Sequence, residues 1–400
     1  MPPPADIIAF CKDWTEPATS VNHVMAELAK RHRVLWINSM AMRNANLASA
    51  HDLKKIFRKF HSWFRGTQIV HEHLRTVTPV SIPLPKYRLV QRLNQFLVRV
   101  CIRRAAKQWG FTSPQLWIFP PNSVDFIGAF GESLVVYYCV DDWSGFSYLN
   151  AGFMVAKEKE LLAKAAVVFV TARKLLADKQ AFHPRVHLIP HGVNFDMFAK
   201  ALSPELPIPA DLQVIRAKSL ASKVSGLQSP TIGFYGNLYD WVDQDLIARI
   251  AAQRPHWSVV LIGKIMSDIT TLQQCPNIHI LGPRPYADLP AYCKGFDVGL
   301  IPYKTADPRM QSVNPLKLRE YLAAGLPVVS VDLPEVRGAS DDVFIAQNVP
   351  DFILQIETAL TRNSAADRQR RSHTMLTETW TARVATIEHQ LADLPEVVRV

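Results

Sequence analysis

A chain of 400 residues exceeds what one hydrophobic core usually supports, so two domains are the default expectation. The net charge is +10, no stretch of roughly eighteen consecutive apolar residues occurs, and the start MPPPADIIAFCKDW lacks a basic segment followed by an apolar one. These features argue against a membrane-spanning helix and a secretory leader, and the expected location is the cytoplasm. Five cysteines, at 11, 101, 139, 275 and 293, are odd in number and lack CxxC or zinc-like spacing, which predicts reduced, mostly buried thiols, without disulfides or a structural metal.

The first half alternates short apolar runs with helical patterns, as a parallel α/β layer requires. Strands are expected at Asp6 to Phe10, Arg33 to Asn38, Leu116 to Phe119, Leu134 to Val140, Val167 to Thr171 and Val186 to Ile189. Val21, Val24, Met25 and Leu28 trace one helix face, with Thr19 or Ser20 placed to cap it. Residues 201–230 lose the pattern in SPELPIPADL and ASKVSGLQSP and read as an interdomain connection. A second alternation then predicts strands at Thr231 to Tyr235, Ser258 to Ile262, Asn277 to Leu281, Asp297 to Ile301, Pro327 to Val331 and Val343 to Ile345. The expectation is an α/β chain of two Rossmann-like domains facing a cleft, residues 1–200 and 231–371, with no internal repeat. No GxGxxG follows the first strand, which argues against flavin or nicotinamide chemistry.

Charge is concentrated. From His51 to Gly110 there are thirteen Lys and Arg against two acids, Asp52 and Glu72, enough to account for the net charge of the whole chain. KKIFRKFHSWFRG sets Phe57 and Trp63 beside Lys54, Lys55 and Arg58, and KYRLVQRLNQFLVRVCIRRAAKQWG repeats the mixture with Arg103 and Arg104. Basic helices with bulky apolar faces lie on anionic bilayers, each cation near the surface contributing about 1 kcal/mol. A core-facing stripe with solvated lysines fits the same letters. Nucleic acid is disfavoured, since no binding motif or stacking platform is present.

In open parallel sheets ligands sit beyond the carboxyl ends of strands. Three places in the first half qualify: Lys12 to Ser20 with Asn22 and His23, then Asp141 and Asp142, then His191 with Gly192. Adjacent carboxylates resist simultaneous ionisation, so one of the Asp pair can have a raised pKa. Alternatively one caps the next helix and the other is solvated.

The stretch NPLKLREYLAAGLPVVS, Asn314 to Ser330, is the most informative. Pro315 suits a first helical position, and the free N–H groups of the turn at Pro315 and Leu316 suit an anion. Lys317 and Glu320, three apart, share a face. Lys317 can neutralise a diphosphate, and Glu320 can accept from a ribose diol. An ordinary αβ connection with solvated charges fits as well.

This segment resembles the donor-binding signature of nucleotide-sugar-dependent glycosyltransferases of the GT-B fold. The likeness extends to Pro190, His191, Gly192, Val193, Asn194 and Phe198, to Gly233 through Asn237, and to Asn277 through Tyr303. The resemblance implies an α/β GT-B enzyme of the glycosyl transferases group 1 type, similar to UDP-sugar users of exopolysaccharide or glycolipid synthesis. It further implies a final helix, at about 372–391, that crosses back to the first domain. Donor contacts are expected from Gly236, Asn237, Arg284, Tyr303, Pro315, Leu316, Lys317 and Glu320.

Inverting transfer needs a base on the acceptor side. By resemblance Asp141 holds that place, with Asp142 or His23 as alternatives. Many retaining relatives carry a Glu where this chain has Ser312, and a His in the loop that here holds Asp141 and Asp142, so inversion is expected. The implied partners are a nucleotide-sugar donor, a lipid-linked or glycan acceptor and an anionic membrane surface on the cytoplasmic side, without metal or nucleic acid. A sugar-nucleotide epimerase of the same fold, or a noncatalytic nucleotide-binding scaffold, is the alternative.

Overall fold

The computed structural model describes residues 4–39, 66–79, 82, 88–145, 151–221 and 229–395. Lys54, Lys55, Phe57, Arg58 and Trp63, expected at a membrane surface, lie outside the described residues. The chain divides into two compact units, Met1–Pro190 together with Arg383–Val400, and His191–Ala382.

In the first unit, eight strands form one sheet: β1 Asp6–Phe10, β2 Arg33–Ile37, β3 Gln68–His71, β4 Leu74–Val77, β5 Gln115–Ile118, β6 Leu134–Cys139, β7 Val167–Val170 and β8 Val186–Leu188. Their order is β3-β4-β2-β1-β5-β6-β7-β8. All neighbours are parallel except the β3–β4 hairpin at the edge. β6 and β7 are buried at every residue, as strands covered on both faces require. The six expected strands are present, each within a residue or two of its anticipated limits. The hairpin was not anticipated, because all four residues of β3 are exposed and the mostly buried β4, LRTV, is too short and too mixed to stand out as an apolar run.

The second unit holds six parallel strands, β9 Thr231–Tyr235, β10 Ser258–Ile262, β11 Ile278–Gly282, β12 Val298–Ile301, β13 Val328–Val331 and β14 Val343–Ala346, in the order β11-β10-β9-β12-β13-β14. Residues 201–230, read from sequence as a connection, contain the helix Ala210–Ala221 instead. Leu212 is fully buried in the core of this unit. A Cβ at Gly295 would stand 2.4 Å from Leu212 Cδ2, so the helix seats on a glycine. Neighbouring prolines and a weakly amphipathic sequence concealed it.

Near the chain end, Glu388 accepts from both Arg31 and His32 of the first unit, with Arg31 Nη1 at 2.9 Å and His32 Nε2 at 2.8 Å. Arg371, fully buried, donates from Nη2 to the Arg362 carbonyl and pairs with Asp342 at 3.3 Å.

Candidate functional site

In the second unit the polar groups gather where β9, β11 and β12 end and the helix Leu316–Ala323 begins. Pro315 is the residue before that helix, with φ −71° and ψ 117°, one position earlier than the sequence suggested. Its fixed φ still sets the chain direction, and its carbonyl accepts from the Leu318 N–H at 3.1 Å, so the N–H groups of Leu316 and Lys317 precede that first bond. Leu316 opens the first turn. Lys317 lies over the exit of β9: its Nζ donates to Tyr303 Oη and sits 4.8 Å from the Phe234 ring centroid and 4.9 Å from that of Tyr303. A Cβ added to Gly236, whose φ is +141°, would come within 3.2 Å of that ammonium. Glycine is favoured there by conformation, and a Cβ would also press on the end of the Lys317 side chain.

Glu320 is 5% exposed. One carboxylate oxygen accepts from Tyr235 Oη and the other from Tyr286 Oη, both at 2.7 Å. Burial raises its pKa, while the two tyrosine hydroxyls and Lys317 oppose the rise. The carboxylate is thus held in place by hydroxyl donors before any ligand arrives, and each oxygen keeps a further lone pair. Tyr235 and Tyr286 went unassigned in the sequence reading. Both stand inside the quoted motifs, but only the fold brings strand ends 85 and 34 residues away to one side chain.

Asn237 turns its Oδ1 toward the Lys264 N–H at 3.4 Å, linking the exits of β9 and β10. There a Cβ on Gly263 would strike the Gly236 carbonyl at 2.0 Å, a close approach the sequence reading did not single out.

Arg284 is engaged elsewhere. Its Nη2 pairs with Asp211 at 2.8 Å and its Nε donates to Tyr292 Oη at 2.7 Å, which ties the loop after β11 to the helix Ala210–Ala221. Those bonds raise its pKa. The structure gathers Gly236, Asn237, Tyr303, Leu316, Lys317 and Glu320 around one strand-end region and directs the Arg284 guanidinium to a structural pair.

In the first unit, β5 lies between β1 and β6, with Phe10 opposite Ile118 and Ile118 opposite Tyr137. The loops after β1 and β6 therefore leave the same edge, roughly 10 Å apart at the strand spacing. Asp13 is buried and accepts from the Ser39 N–H at 3.0 Å and the Ser39 hydroxyl at 2.8 Å. Lys12 donates to the Pro17 carbonyl, and burial lowers its pKa. His23, on the helix Ser20–Leu28, is lowered to about 4 by burial and by Lys12, so its imidazole is neutral at pH 7.

The two aspartates have different surroundings. Asp142 Oδ1 accepts from the N–H and hydroxyl of Ser144, at 3.0 and 2.6 Å, and so fixes the turn Trp143–Gly145. Asp141 is exposed to water, and its pKa is raised to about 6 by desolvation and by the Asp142 charge. The Asp142 carboxylate adds to the rise, and water reaching the Asp141 side chain offsets part of the desolvation. Beneath this turn the Cys139 thiol donates to the Asp141 carbonyl at 3.3 Å. Buried Glu158 accepts from Tyr137 at 2.6 Å and from Lys179 at 2.7 Å.

Arg103 and Arg104 lie on the helix Arg88–Gln108, whose Leu89, Leu93, Phe96 and Val100 are exposed. Arg103 Nε donates to the Ala129 carbonyl at 2.6 Å and so braces the helix against its own unit, while Arg104 is exposed. Among the described residues, no helix is long and apolar enough to cross a membrane, and no group of three or more His, Cys, Asp or Glu is arranged to hold a metal ion.

Residues 229–362 match the family model described as glycosyl transferases group 1. The chain is 28% identical over 269 residues to the glycosyltransferase TuaH of Bacillus subtilis (strain 168), a protein named for teichuronic acid biosynthesis. That match covers 62% of this chain and 64% of the relative, which is less than two thirds of its length. Among solved structures, sucrose-phosphate synthase from Thermosynechococcus elongatus aligns with a TM-score of 0.68 at 15% identity, covering 98% of this chain and 99% of that one. Anabaena Alr3699/HepE in complex with UDP and glucose aligns at 0.65 and 13% identity, covering 98% and 100%. Residues 229–362 are therefore a glycosyl transferases group 1 domain, carried in a chain of the GT-B fold.

Proposed function

We propose that the protein is a glycosyltransferase that takes a sugar from a nucleotide-sugar donor, a UDP-sugar in the first instance, and transfers it to a glycan or lipid-linked acceptor of a cell-surface polysaccharide. The observation that carries this reading is the pairing of Lys317 over Gly236 with the tyrosine-held carboxylate of Glu320, inside a group 1 domain. A cation and an anion acceptor set three residues apart on one helix suit a diphosphate and a ribose diol in succession. The complex of the HepE structure with UDP and glucose supports the choice of nucleotide. Calorimetry with UDP, GDP, ADP and TDP on the wild type and Lys317→Ala tests the reading. Selective UDP binding, weakened in the variant, is the expected result, and no nucleotide binding at all would overturn it.

For the chemistry we propose inversion. Asp141 is the base that takes the proton of the attacking hydroxyl as the anomeric bond breaks, and Lys317 balances the charge of the departing diphosphate. Ser312 supports this, because it offers a hydroxyl, bonded to the Arg309 carbonyl at 3.3 Å, where a retaining relative would offer a carboxylate. His23 is the alternative base, neutral but weakly basic. The anomeric proton coupling of the product decides the point: a product of the same configuration as the donor overturns inversion. No resident metal is required in this scheme, since Lys317 and the helix N-terminus can meet the diphosphate charge.

The acceptor side is proposed to work at an anionic membrane surface. The helix Arg88–Gln108 supports this, with no acidic residue along its length and an exposed row of Leu89, Leu93, Phe96 and Val100. A GT-B epimerase would need no such surface, and product analysis without acceptor separates the two.

A further inference from the structure

The strand order gives the proposed donor a direction, and the present inference rests on that donor reading. Tyr286, which holds Glu320, follows β11, and Tyr303, which meets Lys317, follows β12, on opposite sides of β9 in the sheet. A ribose at Glu320 and a diphosphate at Lys317 therefore send the sugar toward the β12 side. There the turn Tyr239–Val242 projects from the β9 loop, closed by the Val242 N–H on the Tyr239 carbonyl at 3.1 Å. It is fastened to the β12 exit by a bridge between Val242 and Tyr303 and by the Lys304 N–H on the Trp241 carbonyl at 2.9 Å.

This turn carries a three-layer stack. The Tyr239 and Trp241 rings lie 4.1 Å apart at 21°, and the Arg309 guanidinium covers the Trp241 ring at 4.6 Å. Arg309 is in turn fixed by Asp307, at 2.9 and 3.0 Å from Nε, and by Asp240 at 3.3 Å from Nη2. Trp241 is thus covered on both faces and serves as the support, which leaves the outer ring, half-buried Tyr239, as the plate that a ligand can meet. Stacked, fixed rings suit the apolar C–H face of a pyranose at little cost in side-chain entropy.

We propose that Tyr239, supported by Trp241 and Arg309, is the plate on which the pyranose of the donor packs, and that this subsite takes an uncharged hexose in preference to a hexuronate. Within the stack Arg309 is matched by Asp307 and Asp240, and Asp240 keeps 66% of its side chain exposed, so an added sugar carboxylate meets repulsion from that group.

The test is calorimetric and needs no acceptor. UDP, UDP-glucose, UDP-galactose and UDP-glucuronate are titrated into the wild type, Tyr239→Ala and Tyr239→Phe. In Tyr239→Ala, the tighter of the two neutral UDP-hexoses is expected to weaken about threefold to tenfold, while UDP changes less than about twofold, which also certifies the fold. Tyr239→Phe keeps the ring and is expected to match the wild type. Equal losses for UDP and UDP-hexose, or no loss for either, would overturn the sugar plate and leave the donor site standing. UDP-glucuronate binding as tightly as the neutral sugars would overturn the charge preference. Absence of UDP binding to the wild type would instead remove the donor reading itself.

Discussion

Lys317 and Tyr303, 14 residues apart in the chain, meet side chain to side chain: the ammonium donates to the phenol oxygen and sits 4.9 Å from the ring that bears it. The phenol therefore aims the cation at the mouth of β9 beside Gly236. Removal of the charge in Lys317→Ala is expected to weaken UDP binding about tenfold to a hundredfold, the scale of a lost charge-assisted hydrogen bond. Tyr303→Phe keeps the charge and should cost less than about fivefold. Calorimetry at low and high salt checks both, and the wild-type affinity should fall as salt rises.

Glu320 links ligand binding to stability. Replacement by Ala leaves the Tyr235 hydroxyl, on a residue 5% exposed, without its acceptor, at a cost of about 1–3 kcal/mol. The melting temperature should drop by several degrees. In Glu320→Gln an acceptor oxygen remains and the stability loss should be smaller. If Glu320 meets the ribose, the wild type prefers UDP over 2′-deoxy-UDP and both variants lose that preference.

The pH dependence follows from Asp141. Its carboxyl titrates near 6 and acts as a base only when ionised, so kcat/KM should rise with pH through about 6 and level off above it. Asp141→Asn should lower turnover by roughly 10² to 10⁴. Removal of the neighbouring charge in Asp142→Asn should move the rising limb to lower pH by the share of the rise that this charge causes, desolvation remaining. An unchanged limb in Asp142→Asn, with activity retained in Asp141→Asn, would transfer the role to His23.

Beneath the Asp141 turn, Glu158 and Lys179 form a pair with side chains 8% and 10% exposed. Loss of one partner leaves a buried charge uncompensated, so Glu158→Leu is expected to cost about 3–5 kcal/mol in a denaturant titration. The double variant Glu158→Leu with Lys179→Met should recover most of that loss, because the desolvation cost vanishes with both charges. A double variant as unstable as the single one would show that the hydrogen bond from Tyr137, at 2.6 Å, matters more than charge balance.

Membrane association is checked by sedimentation with vesicles. Leu93→Ser with Phe96→Ser should reduce recovery on anionic vesicles severalfold, and Arg104→Glu should do so mainly at low salt. Equal recovery on neutral and anionic vesicles, unaffected by salt, would count against the membrane surface.

Local pattern was enough to place most of the parallel strands. Runs such as LVVYYC and SVVLI are apolar throughout and bounded by turn residues, so the β6 and β10 limits could be read within a residue or so. The hairpin at Gln68–Val77 and the helix Ala210–Ala221 escaped, since β3 is exposed, β4 offers only four residues with Arg75 among them, and the helix is framed by prolines and held by long-range contacts at Gly295 and Arg284. The placement of Lys317 and Glu320 together was legible because both lie on one helix, three residues apart.

What the sequence determined by itself is the sort of information carried by neighbours: strand periodicity, a proline-started helix near Leu316, to within one position, and the positions of glycines at strand exits. Tertiary structure decided which partners those residues have. It took Arg284 to Asp211, gave both oxygens of Glu320 to tyrosines from two other strand ends, and made Asp142 a turn cap while leaving Asp141 in water. The reason is physical. A hydrogen bond between residues scores of positions apart depends on strand order and register, and these are set by the packing of the whole sheet, which no local window of sequence contains.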